Sequence, residues 1–216
     1  MTRLILVRHG QSEANLKNIG AGQRDYPLTE LGHKQAECVA DYLIAHHSID
    51  CIYASDLSRA ISTAKPTAER LGLPIHTDPR LREIDTGDWA GLPFDVRRSQ
   101  YPEECRRLRE DYSHMRFPGG ESIIEVYRRV VACVLQILEE NEGKTVLIVA
   151  HAGALRALCA YAHGFAEDEV GSSPAGGENA SIQIYELSDG AWQTVLPLTT
   201  EHLEGLALKT DELYKV

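Results

Sequence analysis

The sequence has little positive charge, no long apolar run and no paired cysteines, and each shortage excludes a class of protein. Its 22 lysines and arginines are outnumbered by 32 aspartates and glutamates, which gives a formal net charge of -10. General binding to nucleic acid or to an anionic membrane depends on positive charge, so we expect neither partner. An anionic ligand would have to be held by a local group of cations.

No stretch approaches the roughly 18 consecutive apolar residues of a membrane span, and the amino terminus has no signal-peptide pattern. We therefore expect a cytoplasmic protein. The five cysteines are odd in number, and the closest pair, Cys38 and Cys51, lies 13 residues apart. This spacing predicts neither a disulfide framework nor a zinc knuckle, and we expect reduced thiols, mostly in the core.

What the chain does have is enough apolar sequence for a sizeable core. With 216 residues and 43% hydrophobic content, it is expected to form one domain over 1–216. Short apolar runs alternate with segments of helical period, which predicts an α/β fold, a three-layer αβα sandwich around a mostly parallel sheet. The predicted strands are Leu4–Val7, Cys51–Tyr53, Leu73–Thr77 and Thr145–Val149, followed by a late hairpin of Ser181–Glu186 and Trp192–Leu196.

Helical periodicity predicts four longer helices. One begins after Thr29 and ends near His46, and one follows Asp56 and is expected to kink or end at about Lys65, because Pro66 comes next. The other two span Glu121–Asn141 and the residues from His151 through Tyr161. Between residues 88 and 120 the periodicity weakens, which we interpret as an inserted, lid-like region.

Three of the predicted strands end in polar, chemically active residues. They lead into Arg8-His9-Gly10, into Ser55-Asp56 with Arg59 close behind, and into His151. Ligands of open α/β sheets bind outside the carboxyl ends of the strands, so we expect these residues to converge. Helices that begin after Asp56 and His151 would aim free N–H groups at the same space, which favours a bound phosphate.

These residue types suit phosphoryl transfer. A neutral imidazole such as His9 is a competent nucleophile toward phosphorus, and flanking arginines disfavour its protonated form. Arg8 and Arg59 can each present a planar fork to phosphoryl oxygens. His151 could add a third donor, a contribution often worth about 3 kcal/mol in the transition state.

Expelling an alkoxide requires a proton, and Glu83 is the best candidate for its source. It lies in Leu81-Arg82-Glu83-Ile84-Asp85, and proximity to a phosphate dianion would favour its protonated form. Once the alcohol has left, the same carboxylate could deprotonate the water that attacks phosphohistidine.

Taken together, the motifs resemble those of the histidine phosphatase superfamily, the phosphoglycerate-mutase-like proteins, over most of the chain. The matching stretches are Leu6–Asn15, Asp25–Gly32, Ser55–Ala60 with Thr63-Ala64, Leu81–Gly91, Pro118–Ser122 and Ala150–Gly153. The resemblance implies a phosphoglycerate-mutase-like fold and a phosphorylated nucleophile at His9. It also implies that Glu83 is the proton donor and that Arg8, Arg59 and His151 form the phosphate pocket.

The resemblance extends to residues that contact the substrate. Asn15 matches an asparagine on the substrate side, and Gln11, Ser12 and Gly22 are weaker matches from the same loop. Ala152 stands where the family often has glycine, which leaves the pocket intact and the local backbone less certain. Without a second ligand at metal spacing near any histidine, we predict neither a metal nor a cofactor.

The resemblance leaves three functions open. We favour a phosphomonoesterase over a phosphoglycerate mutase, because such mutases resemble Glu-Arg-His-Tyr-Gly at the acid motif and this chain has Glu-Ile-Asp-Thr-Gly from Glu83. A non-catalytic phosphate-binding module is the alternative of another class, and the full set of nucleophile, acid and cations argues against it. A metal-dependent hydrolase ranks lower still.

Two regions remain open to more than one interpretation. Six arginines between residues 97 and 116 are typical of a solvated face, although one or two could contact an anionic substrate: Arg97, Arg98, Arg106, Arg107, Arg109 and Arg116. The stretch Glu201–Val216 could pack on the body or assist a homodimer interface. The partner we expect in either case is a small phosphate ester, whose identity the sequence does not specify.

Overall fold

The first strand is buried along nearly its whole length, and its side chains alternate between two hydrophobic clusters. The structure is a computed structural model that describes residues 1–173 and 176–206. In β1 (Thr2–Arg8), Leu4 and Leu6 join one cluster, whereas Ile5 and Val7 join the other. Consecutive apolar residues of this kind are typical of a strand whose sheet is covered on both faces.

The sheet contains six strands and is mostly parallel, as predicted. The remaining strands are β2 (Cys51–Ala54), β3 (Ile75–Thr77), β4 (Thr145–Ala150), β5 (Ile182–Ser188) and β6 (Ala191–Thr199). Their order is β3-β2-β4-β1-β5-β6, and the first four in this order are parallel to one another. The last two strands form the predicted hairpin, whose first strand, β5, pairs antiparallel with β1.

Helices cover both faces of the sheet and complete the three layers that the sequence predicts. They are α1 (Glu13–Leu16), α2 (Glu30–His46), α3 (Ser58–Leu71), α4 (Phe94–Gln100), α5 (Pro102–Glu110), α6 (Ile123–Glu140) and α7 (Ala152–Ala162). α2 and α3 bury their apolar sides in one cluster, and α6 and α7 bury theirs in the other.

Of the two outcomes expected at Pro66, a kink or an end of the helix near Lys65, the second was wrong. α3 continues through Pro66 to Leu71 and ends at Gly72, whose φ of 66° closes the helix in the left-handed conformation. Proline removes one backbone hydrogen bond from a helix. The buried residues Ala64, Thr67 and Ala68 on both sides of the proline keep α3 against the sheet, so tertiary packing outweighs that local cost.

The start of α6 lies two residues later than the sequence predicts. Ser122 is the N-cap, its side chain accepts from the N–H of Glu125, and the Glu125 carboxylate accepts from the N–H of Ser122. This reciprocal pair satisfies two backbone donors at the helix terminus and fixes the start at Ile123.

Residues 88–120, where the periodicity is weak, contain the short helices α4 and α5. Their anchor is Trp89, which is fully buried, with its ring centroid 5.5 Å from Tyr101 and 5.4 Å from Phe117. The segment is therefore held by aromatic packing between loops, a pattern that a helical or alternating period does not show.

The carboxyl-terminal stretch is described only in part. A single 3-10 turn, Glu201–Leu203, buries Leu203, and residues 207–216 of the predicted interface stretch lie outside the described residues. Cys105, Cys133 and Cys159 are free and buried, as expected. In the described part of the chain, no helix combines the length and apolar character that crossing a membrane requires.

Candidate active site

The strand register brings the predicted site residues to one edge of the sheet. β1, β4 and β2 are adjacent and parallel, with Arg8 opposite Ala150 and Ala54 opposite Val149. The residues that follow these strands therefore leave the sheet side by side. The N–H of His9 donates to the carbonyl of Ala150 at 3.0 Å, which fixes the nucleophile candidate beside His151.

His9 is held in one tautomer. Its side chain is 4% exposed, and its Nδ1 lies 2.7 Å from the carbonyl oxygen of Gly10. Because a carbonyl only accepts, Nδ1 carries the proton and Nε2 keeps its lone pair. The nitrogen available for nucleophilic attack is therefore Nε2.

The surroundings of His9 also keep its ring uncharged. Burial lowers the pKa of His9 well below its usual value, and the neighbouring guanidinium groups of Arg59 and Arg8 lower it further. A neutral imidazole retains its nucleophilic lone pair at neutral and mildly acidic pH.

Arg59 is the most deeply buried cation of the site, at 1% exposure. One terminal nitrogen donates to the carbonyl of Gly22 and the other to that of Arg24, both at 2.9 Å, while Nε donates to Nδ1 of His151 at 3.2 Å. Desolvation lowers the pKa of Arg59 to about 10, so the group remains charged at neutral pH. Its position is set by backbone carbonyls, with Glu83 and Asp25 as the nearest favourable charges.

His151 has the opposite tautomer to His9. Since its Nδ1 accepts from Arg59, the proton of the neutral ring is on Nε2, which is buried without a hydrogen-bond partner among the described residues. Burial, followed by the charge of Arg59, lowers the pKa of His151 well below its usual value. The ring centroids of His151 and His9 are 5.1 Å apart. The site thus contains one imidazole lone pair next to one imidazole donor.

Glu83 reaches the same space from the loop after β3. Its Oε1 accepts from the N–H of Ile84 at 2.9 Å and from that of Gly153, in the first turn of α7, at 3.0 Å. Within the described residues, Oε2 accepts no hydrogen bond. The N–H of Gly153, at the amino terminus of α7, therefore helps to position the carboxylate of Glu83. From the sequence, we expected the N–H groups of this helix terminus to face a bound phosphate.

These residues open onto a cavity of about 240 Å³. Its lining includes His9 and Ile84 together with the following charged residues of the described chain: Arg8, Arg59, Arg97, Arg109, Arg156 and Glu83. Five cations and one carboxylate give the cavity a sign opposite to the net charge of the chain, -10. An anion is therefore the ligand that this cavity suits best.

The predicted substrate-binding residues divide into two groups. Ser12, Asn15, Gly22 and Ala152 line the cavity. Gln11 is not among the lining residues of the described chain: its side chain accepts from the Thr29 hydroxyl at 3.0 Å, so it holds the loop in place. His151 is likewise not among the lining residues of the described chain, although its ring lies beside that of His9 and its Nδ1 accepts from Arg59.

Several residues that shape the site were missed at the level of sequence. Arg129 on α6 donates to the carbonyls of Arg80, Arg82 and Glu83 at 2.8–2.9 Å and pairs with Glu121, which accepts from the N–H of Asp85. These contacts fix the backbone on both sides of the acid candidate.

Arg82 and Asn179 hold the rest of the frame. Arg82 pairs with Asp56 at the start of α3, and this partner lowers the pKa of the Asp56 carboxyl. Asn179 donates to the carbonyl of His9 at 3.1 Å and to Oδ1 of Asn15 at 3.2 Å. Both contacts join residues far apart in the chain, which no local motif signals.

Comparisons with known proteins identify the family of this chain. The family model of the histidine phosphatase superfamily (branch 1) matches residues 4–199. Phosphoserine phosphatase 1 of Hydrogenobacter thermophilus is 38% identical over 158 residues, which are 73% of this chain and 74% of that protein.

Two further relatives have names that state other activities. The 2,3-bisphosphoglycerate-dependent phosphoglycerate mutase of Brucella anthropi is 38% identical over 173 residues, covering 77% of this chain and 84% of the mutase. A solved structure of mycobacterial glucosyl-3-phosphoglycerate phosphatase with VO3 superposes with a TM-score of 0.83 and 32% identity, over 92% of this chain and 99% of that one. From its motifs, its fold and its relatives, the chain belongs to branch 1 of the histidine phosphatase superfamily.

Proposed function

We propose that this protein is a phosphomonoesterase that hydrolyses small phosphorylated metabolites through a phosphohistidine intermediate on His9. The observation that carries the proposal is the state of His9: a buried, neutral ring whose Nδ1 is hydrogen-bonded to Gly10 O, so that its Nε2 lone pair is available in an arginine-lined cavity. In the first step Nε2 forms a bond to phosphorus, and the bond from phosphorus to the ester oxygen breaks.

The charges around the phosphoryl group suit this step. Arg8 and Arg59 present permanent charge to the non-bridging oxygens, and the Nε2–H of His151 is the third donor. Because these donors are held by the fold before the substrate arrives, little reorganisation accompanies the build-up of charge. Donors of this kind are each worth about 3 kcal/mol.

Glu83 is assigned the proton transfers. Its Oε1 is occupied by two N–H groups, which leaves Oε2 to carry the proton that the departing alkoxide takes up. In the second step the ionised Oε2 accepts a proton from water, the water oxygen bonds to phosphorus, and the N–P bond breaks. Phosphate leaves, and both His9 and Glu83 return to their starting states.

The proposal includes the setting of the enzyme. We place residues 88–120 as a lid within a single domain spanning 1–216, and we place the enzyme in the cytoplasm, acting on small phosphate esters and not on nucleic acid. The five free cysteines suit a reducing compartment. A homodimer stays a prediction, which light scattering on the purified protein tests directly.

A phosphoglycerate mutase is the second candidate, supported by the Brucella anthropi relative and by the strongly cationic cavity. It uses the same intermediate, but a second hydroxyl in place of water takes the phosphoryl group. A phosphate-binding module without turnover is the third.

Product analysis separates these functions. The purified protein is given 3-phosphoglycerate and a panel of phosphate esters, with chelator present and absent. We expect release of free phosphate that chelator leaves unchanged, because protein side chains supply every step above. Rapid isomerisation to 2-phosphoglycerate without phosphate release would establish the mutase instead, and saturable binding without any product would leave a binding module.

A further inference from the structure

The proposed chemistry uses only part of the charge in the cavity. Arg8, Arg59 and Glu83 face the phosphoryl group, yet Arg97, Arg109 and Arg156 also line the cavity. A chain with a formal net charge of -10 has many carboxylates with which to neutralise them. The contacts of these three arginines therefore indicate whether each one stabilises the fold or is available to a ligand.

Arg97 has a structural role. Its guanidinium carbon lies 4.8 Å from the ring centroid of Trp89 and 5.0 Å from that of Phe94, and it donates to the carbonyl of Trp89. With 4% exposure, it joins α4 to the aromatic anchor of the 88–120 segment.

Arg109 is the arginine of α5 that lines the cavity. On the same helix, α5, Arg106 pairs with Glu103 and Glu110, and nearby in sequence Arg116 pairs with Glu125. Arg109 lines the cavity instead, and among the described residues it has neither an ion pair nor a side-chain hydrogen bond. Its charge is therefore available to a ligand.

Arg156 is fixed in place without being neutralised. Its guanidinium stacks 4.1 Å from the ring centroid of Tyr112, and it donates to the carbonyl of Gly171 at 2.7 Å. Its Nε is buried and has no hydrogen-bond partner among the described residues. Tyr112 is uncharged at neutral pH, since burial raises its pKa to about 12. The ring and the carbonyl orient the guanidinium, and no carboxylate of the described chain pairs with it.

The wall around these two arginines is apolar. Leu108 and Phe117 also line the cavity, and they belong to the same 88–120 segment as Arg109 and Tyr112. Apolar walls limit the access of water and so strengthen an ion pair formed between them. The cavity of about 240 Å³ is smaller than the roughly 300–1,000 Å³ of typical ligand pockets, which favours a compact substrate.

We infer that Arg109 and Arg156 form a second anion subsite, so that the preferred substrates are small phosphomonoesters whose alcohol carries a carboxylate. A planar carboxylate matches the fork of a guanidinium, and two such forks next to the phosphoryl site would select for it. This inference depends on the proposed function, because the phosphoryl group must occupy the site at His9.

Matched substrate pairs test the inference. 3-Phosphoglycerate and glycerol 3-phosphate differ by a carboxylate in place of a hydroxymethyl group, and phosphoserine and phosphoethanolamine differ by the carboxylate alone. We expect the wild-type kcat/KM to favour the carboxylate member of each pair by at least about 10-fold, since a hydrogen bond between charged groups is worth about 1.4 kcal/mol or more, and about 1.4 kcal/mol corresponds to a factor of ten.

Arg109→Met is the decisive variant, because Arg109 is exposed and makes neither an ion pair nor a side-chain hydrogen bond within the described residues. It should lower the carboxylate preference about 10-fold or more, chiefly by raising KM for the carboxylate member. Arg156→Met should act in the same direction. Arg107→Met is the matched control, an exposed arginine on the same helix that does not line the cavity, and it should leave the preference unchanged.

Several results would overturn the inference. Equal kcat/KM for both members of each pair in the wild type would remove the subsite while leaving the phosphatase intact. An equal loss for both members in Arg109→Met would indicate a role unrelated to the carboxylate. The subsite would be reassigned to a second phosphate by one further result. This is a larger effect of Arg109→Met on the preference for propane-1,3-diol bisphosphate over 3-hydroxypropyl phosphate than on the carboxylate preference.

A binding measurement tests the subsite even when no ester is hydrolysed. If no ester is hydrolysed, the proposed function fails, and calorimetry on His9→Ala then compares the affinities for 3-phosphoglycerate and glycerol 3-phosphate. Tighter binding of 3-phosphoglycerate that Arg109→Met removes would support the subsite, and equal affinities would exclude it.

Discussion

The two sides of the cavity are built in different ways. On the strand side, Arg8 ends β1, and His9 and His151 directly follow the adjacent strands β1 and β4. On the opposite side, Arg109 and Tyr112 lie in the 88–120 segment, where short helices pack around Trp89. The strand side is thus specified by the sheet register, and the other side can vary without changing that register.

From this difference we expect the two sides of the cavity to affect different kinetic parameters. Changes on the strand side should reduce the rate for every phosphate ester, because they affect the phosphoryl group that all esters share. Changes in the 88–120 wall should act on KM for particular alcohols. The following experiments, in order of decreasing effect, would sharpen or break this distinction.

Replacing Arg59 should have the largest of these effects. Arg59→Met removes a buried charge next to the phosphoryl site and the donor that fixes His151, so kcat/KM should fall about 10³-fold for all esters alike. Steady-state kinetics on alkyl and aryl esters measure this loss. Arg70→Met, an arginine on the same helix that pairs with Glu37 and Asp41 at the surface, is the control. A loss below about 10-fold in a folded variant would contradict the assignment.

Glu83→Gln should lower kcat/KM by about 10²-fold, with an effect that depends on the leaving group. Glutamine keeps an oxygen that can accept from the N–H groups of Ile84 and Gly153, but it has no acidic proton to transfer to the leaving group. An alkyl phosphate, whose alkoxide needs that proton, should lose much more than 4-nitrophenyl phosphate. Equal losses for both esters would mean that Glu83 does not protonate the leaving group.

Arg129→Met should act through Glu83. Without contacts to the carbonyls of Arg80, Arg82 and Glu83, the acid is less well placed, and we expect about a 10-fold loss in kcat/KM for alkyl esters. Aryl esters should lose less. Arg128→Met removes a surface pair with Glu167 and is the control, which should leave both activity and stability essentially unchanged.

A purely structural role for Arg129 would give a different result. In that case Arg129→Met would lower stability and reduce activity toward aryl and alkyl esters by the same factor. If Arg129→Lys restored the activity toward alkyl esters, the positioning role would be favoured, because lysine restores the positive charge next to Glu121.

The pH dependence of stability tests the buried histidines. The pKa values of His9 and His151 are well below 6.5 in the folded protein, so below pH 6.5 the unfolded chain binds protons that the folded chain does not. The free energy of unfolding should therefore fall as pH drops from 6.5 to 5, by up to about 1.4 kcal/mol per pH unit for each histidine. Denaturant titrations measure this slope, and His151→Gln should make it shallower. An identical slope in the variant would indicate that His151 is protonated in the folded protein.

The strand side could be predicted from sequence because its signals are local. His9 and His151 each follow an apolar run that forms a fully buried strand, and the convergence of parallel strand ends does the rest. Arg129 gave no such signal: on an amphipathic helix it resembles a solvated arginine, and its partners lie 46 to 49 positions earlier in the chain.

Tertiary contacts explain both the wrong end predicted for the helix at Pro66 and the question left open for the arginines between residues 97 and 116. Pro66 was expected to end a helix on local grounds, but packing of α3 on the sheet outweighed its missing N–H. Among the six arginines between residues 97 and 116, sequence could not tell those facing the cavity, Arg97 and Arg109, from the others. Which of these a carboxylate neutralises depends on tertiary contacts that periodicity does not encode.

The central claim, that His9 is the phosphorylated nucleophile, is tested most directly by trapping the intermediate. The protein is mixed with excess phosphate ester, quenched within the first turnover under alkaline denaturing conditions that preserve phosphohistidine, and mapped by mass spectrometry. We predict one added phosphoryl group, acid-labile and located on His9, which forms no more slowly than turnover and is absent from His9→Ala. Undiminished turnover by His9→Ala, or a phosphoryl group on another residue, would contradict the account.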